Sequence, residues 1–286
     1  PQLNIGGVER GTLDLSKALI HKGHQSFVIS GGGVLVDELT QCGAKHYEIP
    51  VHIKSLRTLS LAKRLSETIS SIDPDIVHVR SRMPAWVNYR AFKMLQTKPL
   101  LVSTFHGLYS FPIYSKVMSF VDHSIAISKT VERYILENYK LDKGDITVIP
   151  RGCDPLEFNN EVINPVDKAN IIEEFPQIVG KKVLTIPGRI TKWKGVAEFI
   201  DLLSLLDDNY HGLIVGPTAK SKKKYLNKLQ NKVSSLHLED KITFTGSRRD
   251  IANIYKISDV VFNLSQTPEP FGRTMIEAIA CGTRVI

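Results

Sequence analysis

Cysteine is scarce. Cys42, Cys153 and Cys281 are the only three among 286 residues, widely spaced and without a Cys-x-x-Cys pair. That excludes a disulfide framework and a thiolate zinc site, and it fits small buried hydrophobes in a reducing cytoplasm. Long apolar runs are missing too. No stretch approaches the roughly 18 residues of a membrane span, and nothing at the start resembles a secretory leader. The chain opens on Pro1 without an initiator Met and closes on Thr283-Arg-Val-Ile286, the beginning of a strand, so both ends are expected to be cut.

Two further absences narrow the chemistry. There is no Gly-x-Gly-x-x-Gly, which argues against a nicotinamide dinucleotide site. Asp73-Pro-Asp75 has the Asp-x-Asp form that holds divalent metals elsewhere, but it precedes a strand and reads as a helix stop and turn. No other metal-ligand cluster is present, so metal-independent chemistry without a cofactor is expected. The formal charge is +8, compatible with an anionic partner. Lys222-Lys-Lys224 lacks the interleaved aromatics of a nucleic-acid surface and reads as a solvated helix face, so no nucleic acid is expected. The run from His52 through Lys54 and Arg57 to Lys63-Arg64 suits a peripheral contact with an anionic membrane face.

What is present is regular alternation. With 42% hydrophobic residues the chain is long enough for two domains of roughly 150 residues each. Strand-like runs fall at 25–30, 44–51, 76–79, 100–105, 124–128, 146–150, 182–186, 211–215, 241–245 and 260–264, with helical patterns between them at 13–20, 59–72, 130–139 and 196–206. Strands alternating with helices imply parallel sheets covered on both faces. The pattern lapses around Asp154-Pro and Asn164-Pro165. The expected organisation is α/β: two doubly wound, Rossmann-like domains facing a cleft, 1–160 and 176–286, with a linker at 161–175. Ligands of such sheets lie beyond the carboxyl ends of strands, so residues that follow strands are the candidates.

Four segments qualify. Gly6-Gly7 precedes the first helix, where a glycine turn meets unpaired backbone N–H groups suited to phosphate; a bare turn is the alternative. His106, freed by Gly107 after a strand, either points at a hydroxyl or packs. Arg189, Lys192 and Lys194 surround the turn before another helix, where cations oppose the helix dipole and call for a compensating anion such as a diphosphate. Last, Pro268-Glu-Pro-Phe-Gly-Arg-Thr-Met-Ile-Glu277 carries Glu269 and Glu277 across a Phe271-Gly272 turn at a helix start. These carboxylates are either an acidic first turn or a pair of hydroxyl ligands.

Together these segments resemble glycosyltransferase family 4, the retaining GT-B enzymes. The resemblance runs through Gly6-Gly7-Val-Glu9, Pro74-Asp75-Ile-Val-His78, Phe105-His106-Gly107, Ile125-Ala-Ile-Ser128, Val148-Ile-Pro-Arg-Gly152, Gly188-Arg189 with Lys194-Gly195, and Glu269-Pro-Phe-Gly272 with Glu277. Two stretches, His78-Val-Arg80-Ser-Arg82-Met-Pro-Ala-Trp86 and 187–195, are similar to a bacterial branch of lipopolysaccharide core and surface polysaccharide synthesis. The resemblance implies a sugar moved from a nucleoside-diphosphate sugar to a hydroxyl of a glycan or glycolipid, the first domain on the acceptor side and the second on the donor side. It implies that Arg189 and Lys194 hold the donor's diphosphate, that Glu269 with Phe271 and Gly272 grips the donor sugar, and that Glu277 binds the ribose. Gly6 and Gly7 would close on the phosphates, and His106 would stand near the transferred sugar. In the front-face mechanism proposed for such enzymes the leaving phosphate takes the acceptor's proton. A non-catalytic sugar-nucleotide or polysaccharide-binding subunit and a sugar-nucleotide epimerase are the other functions compatible with this architecture.

Overall fold

The computed structural model describes residues 2–4, 6–109 and 112–286. The chain divides into two compact units, Pro1–Arg151 and Gly152–Ile286. In the first, helices α1 (Gly7–His21), α2 (Val36–Gln41), α3 (Ala62–Ile72), α4 (Arg82–Phe92), α5 (Pro112–Ser115) and α6 (Lys129–Asn138) alternate with strands. The strands are β1 (Phe27–Ser30), β2 (Lys45–Glu48), β3 (Ile76–Val79), β4 (Leu100–Phe105), β5 (His123–Ala126) and β6 (Ile146–Val148). Among the described residues they form two parallel sheets, β1-β2 and β3-β4-β5-β6. Every strand–strand step is parallel, as the alternation predicted.

Local chemistry explains the boundaries. Ser128 caps α6 by accepting from the Val131 N–H, satisfying one of the donors a helix start leaves open. Asp73 ends α3 in the left-handed region (φ 47) and donates its N–H to the Ile69 carbonyl, so the Asp-x-Asp triplet is a helix stop.

The second unit contains α7 (Pro165–Glu174), β7 (Lys182–Pro187), α8 (Val196–Ser204), β8 (Tyr210–Val215), α9 (Lys223–Ser235), β9 (Ile242–Gly246), α10 (Ile251–Ile257), β10 (Val260–Val261), α11 (Arg273–Ala280) and β11 (Arg284–Val285). Its sheet has the order β11-β10-β7-β8-β9. The chain enters at the centre, winds outward through β8 and β9, then returns to the other side of β7 through β10. One face is covered by α8 and α9 through Phe199, Ile200, Leu203, Leu229 and Val233; the other is covered by α7 and α10 through Ile171 and Ile254. The lysines of Lys222-Lys-Lys224 are exposed while Leu229 and Val233 of the same helix are buried.

The expected domain boundary needs correction. Division falls after Arg151 rather than at 160, and the segment expected to be a linker, 161–175, contains α7. Asn164 accepts from the Val166 N–H and Pro165 occupies the first helical turn, a pairing that starts helices as readily as it makes turns. Ile171 then docks on the second unit's core at 2% exposure, so this segment belongs to that unit.

Candidate active site

The order of the second sheet creates a switch point between β7 and β10, where loops leaving adjacent parallel strands diverge; ligands of such sheets bind there. The sequence places its two charged motifs on these loops. Gly188–Gly195 follows β7 and 262–272 follows β10. Gly195 makes their approach possible: its φ is +74, and a Cβ there would stand 2.1 Å from the Leu264 carbonyl oxygen. Only glycine tolerates that contact. The Gln266 N–H also donates to the Trp193 carbonyl at 2.7 Å, tying the loops together.

Across this junction Lys194 Nζ lies 2.6 Å from Glu269 Oε1, the side chains being 15% and 20% exposed. The lysine stem passes over Gly188, and Nζ sits 4.4 Å from the centroid of Trp193, within cation–π range. The other Glu269 oxygen accepts from Ser265 Oγ at 2.6 Å, and Ser265 Oγ is also 2.7 Å from Asn263 Oδ1. The pair is thus fixed at both ends. The anion that the cations around α8 call for is, in the free chain, partly the chain's own Glu269. Arg189, between Gly188 and buried Ile190, is exposed.

Glu277 has a different setting. Gly272 starts α11 in the left-handed region (φ 80), so Glu269 lies in the preceding loop and Glu277 on the helix. Glu277 is 8% exposed, accepts from Arg273 Nε at 2.7 Å and meets the Tyr255 hydroxyl at 3.4 Å. Burial raises its carboxyl above the ordinary range, with Arg273 opposing the rise. The two carboxylates therefore engage separate partners. Phe271 is half-buried between Glu269 and Gly272.

In the first unit the candidates gather where β3, β4 and β6 end. His106 follows β4, and its Nδ1 receives Arg151 Nη2 at 2.5 Å. Because a guanidinium can only donate, Nδ1 is the acceptor and the proton sits on Nε2. Burial, then the charges of Arg151 and Arg80, hold the imidazole pKa well below its ordinary value, so His106 is a neutral donor at physiological pH. Arg151 Nη1 also donates to the Gly7 carbonyl at 2.6 Å, bracing the start of α1. Gly6 caps that helix with an extended backbone (φ 178), and the Glu9 carboxylate folds over it. Sequence reasoning passed over Arg80, Arg151, Ser265, Trp193, Tyr255 and Arg273. Arg273 carried a local signal, standing four residues before Glu277 on one helix face, and Arg80 another, standing directly after β3.

With this geometry in place, the relatives can be compared. The family described as Glycosyltransferase Family 4 matches residues 5–156, and that described as Glycosyl transferases group 1 matches 167–286. A glycosyltransferase from Rickettsia africae is 34% identical, with 99% of this chain and 77% of that one covered and a TM-score of 0.86.

This chain belongs to glycosyltransferase family 4.

Mannosylfructose-phosphate synthase of Agrobacterium fabrum is 34% identical over 175 residues, which are 58% of this chain and 37% of that protein. This family 4 chain thus matches little more than a third of that curated relative. HepE of Anabaena, solved in complex with UDP-glucose, is 22% identical with a TM-score of 0.82 over 98% of this chain and 76% of its own, and it shares the fold. The architecture is GT-B, built from two α/β units with parallel sheets. Among the described residues no helix is long and apolar enough to cross a membrane.

Proposed function

We propose that this chain moves a sugar, with retention of anomeric configuration and without a metal, from a nucleoside-diphosphate sugar to a hydroxyl of a glycan or glycolipid. The observation that carries this reading is the Lys194–Glu269 pair across the switch point, 2.6 Å apart and largely shielded from solvent. A cation held there by a carboxylate is already oriented toward the place where a departing diphosphate develops charge, and preorganised donors of this kind are a large term in catalysis. Arg189 supplies a second cation on the same loop. Glu269, anchored by Ser265, remains to accept hydrogen bonds from sugar hydroxyls once a phosphate takes Lys194. Glu277 is assigned to the ribose. HepE in complex with UDP-glucose supports this class of donor.

The leaving phosphate takes the acceptor's proton, and the protein mainly orients the two substrates. His106, neutral with its proton on Nε2, serves as a hydrogen-bond donor to a sugar oxygen rather than as a general base. Similarity of segments 78–86 and 187–195 to the lipopolysaccharide and surface polysaccharide branch points to such a glycan as acceptor. A peripheral contact with anionic lipid at the cytoplasmic face fits the exposed Ile53 (49%) and Leu56 (86%) beside exposed Lys54, Arg57, Lys63 and Arg64.

The deciding experiment incubates the protein with a panel of nucleoside-diphosphate sugars and acceptor glycans, in EDTA and in added divalent cation, and follows released nucleoside diphosphate and product anomer. Release in EDTA with a retained anomer is expected. An isomerised donor without transfer would make the chain an epimerase, and donor binding without turnover would make it a binding subunit. Co-sedimentation with vesicles containing anionic lipid, but not with neutral ones, tests the membrane contact.

A further inference from the structure

The first unit holds two arginines, Arg80 and Arg151, that the donor reading leaves unused, beside the neutral His106. Arg80 follows β3, His106 follows β4 and Arg151 lies beyond β6, so all three stand at the carboxyl edge of one parallel sheet. They converge on the first turns of α1: a Cβ at Gly11 would lie 3.3 Å from Arg151 Nη1 and 3.4 Å from Arg80 Nη2. Three buried donors here, Arg80 Nε, Ser81 Oγ and His106 Nε2, have no hydrogen-bond partner. Leaving such atoms unsatisfied is costly, and leaving a buried guanidinium unsatisfied more so. The neighbouring carboxylates do not remove the imbalance. Asp14 and Glu9 pull the Arg80 pKa upward, but burial and the adjacent Arg151 charge dominate and lower it to about 10.

Cations that crowd one another around unfilled donors form a receptor for an oxyanion. On the reading that Arg189 and Lys194 serve the donor's diphosphate, the donor already has its cations in the second unit. We infer that Arg80, with Arg151, binds a phosphate or carboxylate carried by the acceptor, so that this enzyme glycosylates an anionic acceptor. Arg82 is not part of the site. Its guanidinium is stacked on Tyr109 and Tyr114, 4.9 and 5.3 Å from their centroids.

The test uses the whole chain, with inorganic phosphate as the acceptor probe and UDP and GDP as donor probes, in thermal-shift titrations of wild type, Arg80→Met and Lys194→Ala. Phosphate is expected to stabilise wild type and Lys194→Ala alike, and to do so still when a nucleoside diphosphate is saturating. Arg80→Met should weaken the apparent phosphate affinity about tenfold or more, the scale of one lost charge-assisted hydrogen bond, while keeping its nucleoside-diphosphate shift. Methionine retains the apolar stem, so in phosphate-free buffer this variant should melt no lower than wild type. Arg80→Lys repeats the phosphate comparison should Arg80→Met fail to fold.

Equal phosphate affinity in wild type and the Arg80 variants overturns the proposal. So does a phosphate shift abolished by saturating nucleoside diphosphate, since the ion would then occupy the donor site. If neither UDP nor GDP shifts wild type, the donor reading fails for those bases, while the comparison of Arg80 variants with wild type still decides whether this oxyanion site exists.

Discussion

In the second unit Lys194 meets a carboxylate; in the first, Arg80 and Arg151 meet a histidine and each other. Both arrangements lie at the carboxyl ends of parallel strands, yet they hold charge in opposite ways. The Lys194–Glu269 pair is internally compensated, so the geometry proposed for a diphosphate is held by the chain's own carboxylate. In the first unit the buried Arg80 Nε has no hydrogen-bond partner, and burial beside the two arginines makes a neighbouring histidine a neutral donor. A paired cation exchanges one partner for another, whereas an unsatisfied buried donor calls for an added ligand.

The comparison can be broken most forcefully at Lys194. Lys194→Ala should lower turnover by roughly 10²–10³, the usual cost of losing a preorganised donor to developing charge, measured as nucleoside-diphosphate release at saturating donor. Near-wild-type turnover would remove Lys194 from the diphosphate. Glu269→Gln should cost less, about ten- to a hundredfold in kcat/KM, because one charge-assisted contact to the sugar is lost while the cation stays. Loss confined to KM for the acceptor would contradict a donor-sugar role.

Glycine substitutions sharpen the contrast in stability. Gly195→Ala combines a left-handed backbone with a Cβ 2.1 Å from the Leu264 oxygen, so urea unfolding should show a loss above ~2 kcal/mol. Gly23 in the first unit is equally left-handed (φ +81) but has nothing within 4 Å of a Cβ; alanine there should cost only about 1–2 kcal/mol. Equal losses would mean that the loop contact at Gly195 is not what demands glycine.

Acid should separate His78 of the first unit from Glu277 of the second by sign. His78 lies beside this arginine group and bonds Thr104 Oγ1 through Nε2 at 2.7 Å. Burial and Arg80 hold its pKa down to about 4 from the ordinary 6.5. A depressed histidine pKa means that the unfolded chain binds the proton first. The contribution is therefore complete above pH 6.5 and is lost as pH falls toward about 4, on the order of 3 kcal/mol in all. His106 acts in the same direction. Glu277 acts oppositely and more weakly: its raised pKa makes its contribution complete below the ordinary glutamate value and lost as pH rises through the folded one. Urea midpoints between pH 4 and 7 for wild type, His78→Gln and Glu277→Gln read both slopes. Slopes of the same sign would refute the assignment.

Each strand-like run in the sequence overlaps a strand in the structure, because β-branched runs bounded by turns are a local signal. Lys194, Glu269 and Gly272 were legible as candidates for a related reason: each lies on a loop that follows a strand, where the ligand edge of such a sheet falls. The helix at 165–174 was missed because Asn-Pro serves turns and helix starts alike. Arg80 and Arg151 were invisible as a pair, since β3 and β6 are the two edge strands of the sheet β3-β4-β5-β6 and their side chains come together only beyond its carboxyl edge, over Gly11.

The sequence by itself determined the alternation, the parallel sheets, the family and the identity of the residues at the strand ends, all of which depend on short-range pattern. Tertiary structure decided which of those residues touch. Sheet order put the β7 and β10 loops side by side and so paired Lys194 with Glu269; the fold likewise gave Glu277 to Tyr255 and Arg151 to His106. Such contacts join residues far apart in the chain through backbone register and burial, and no local pattern encodes either.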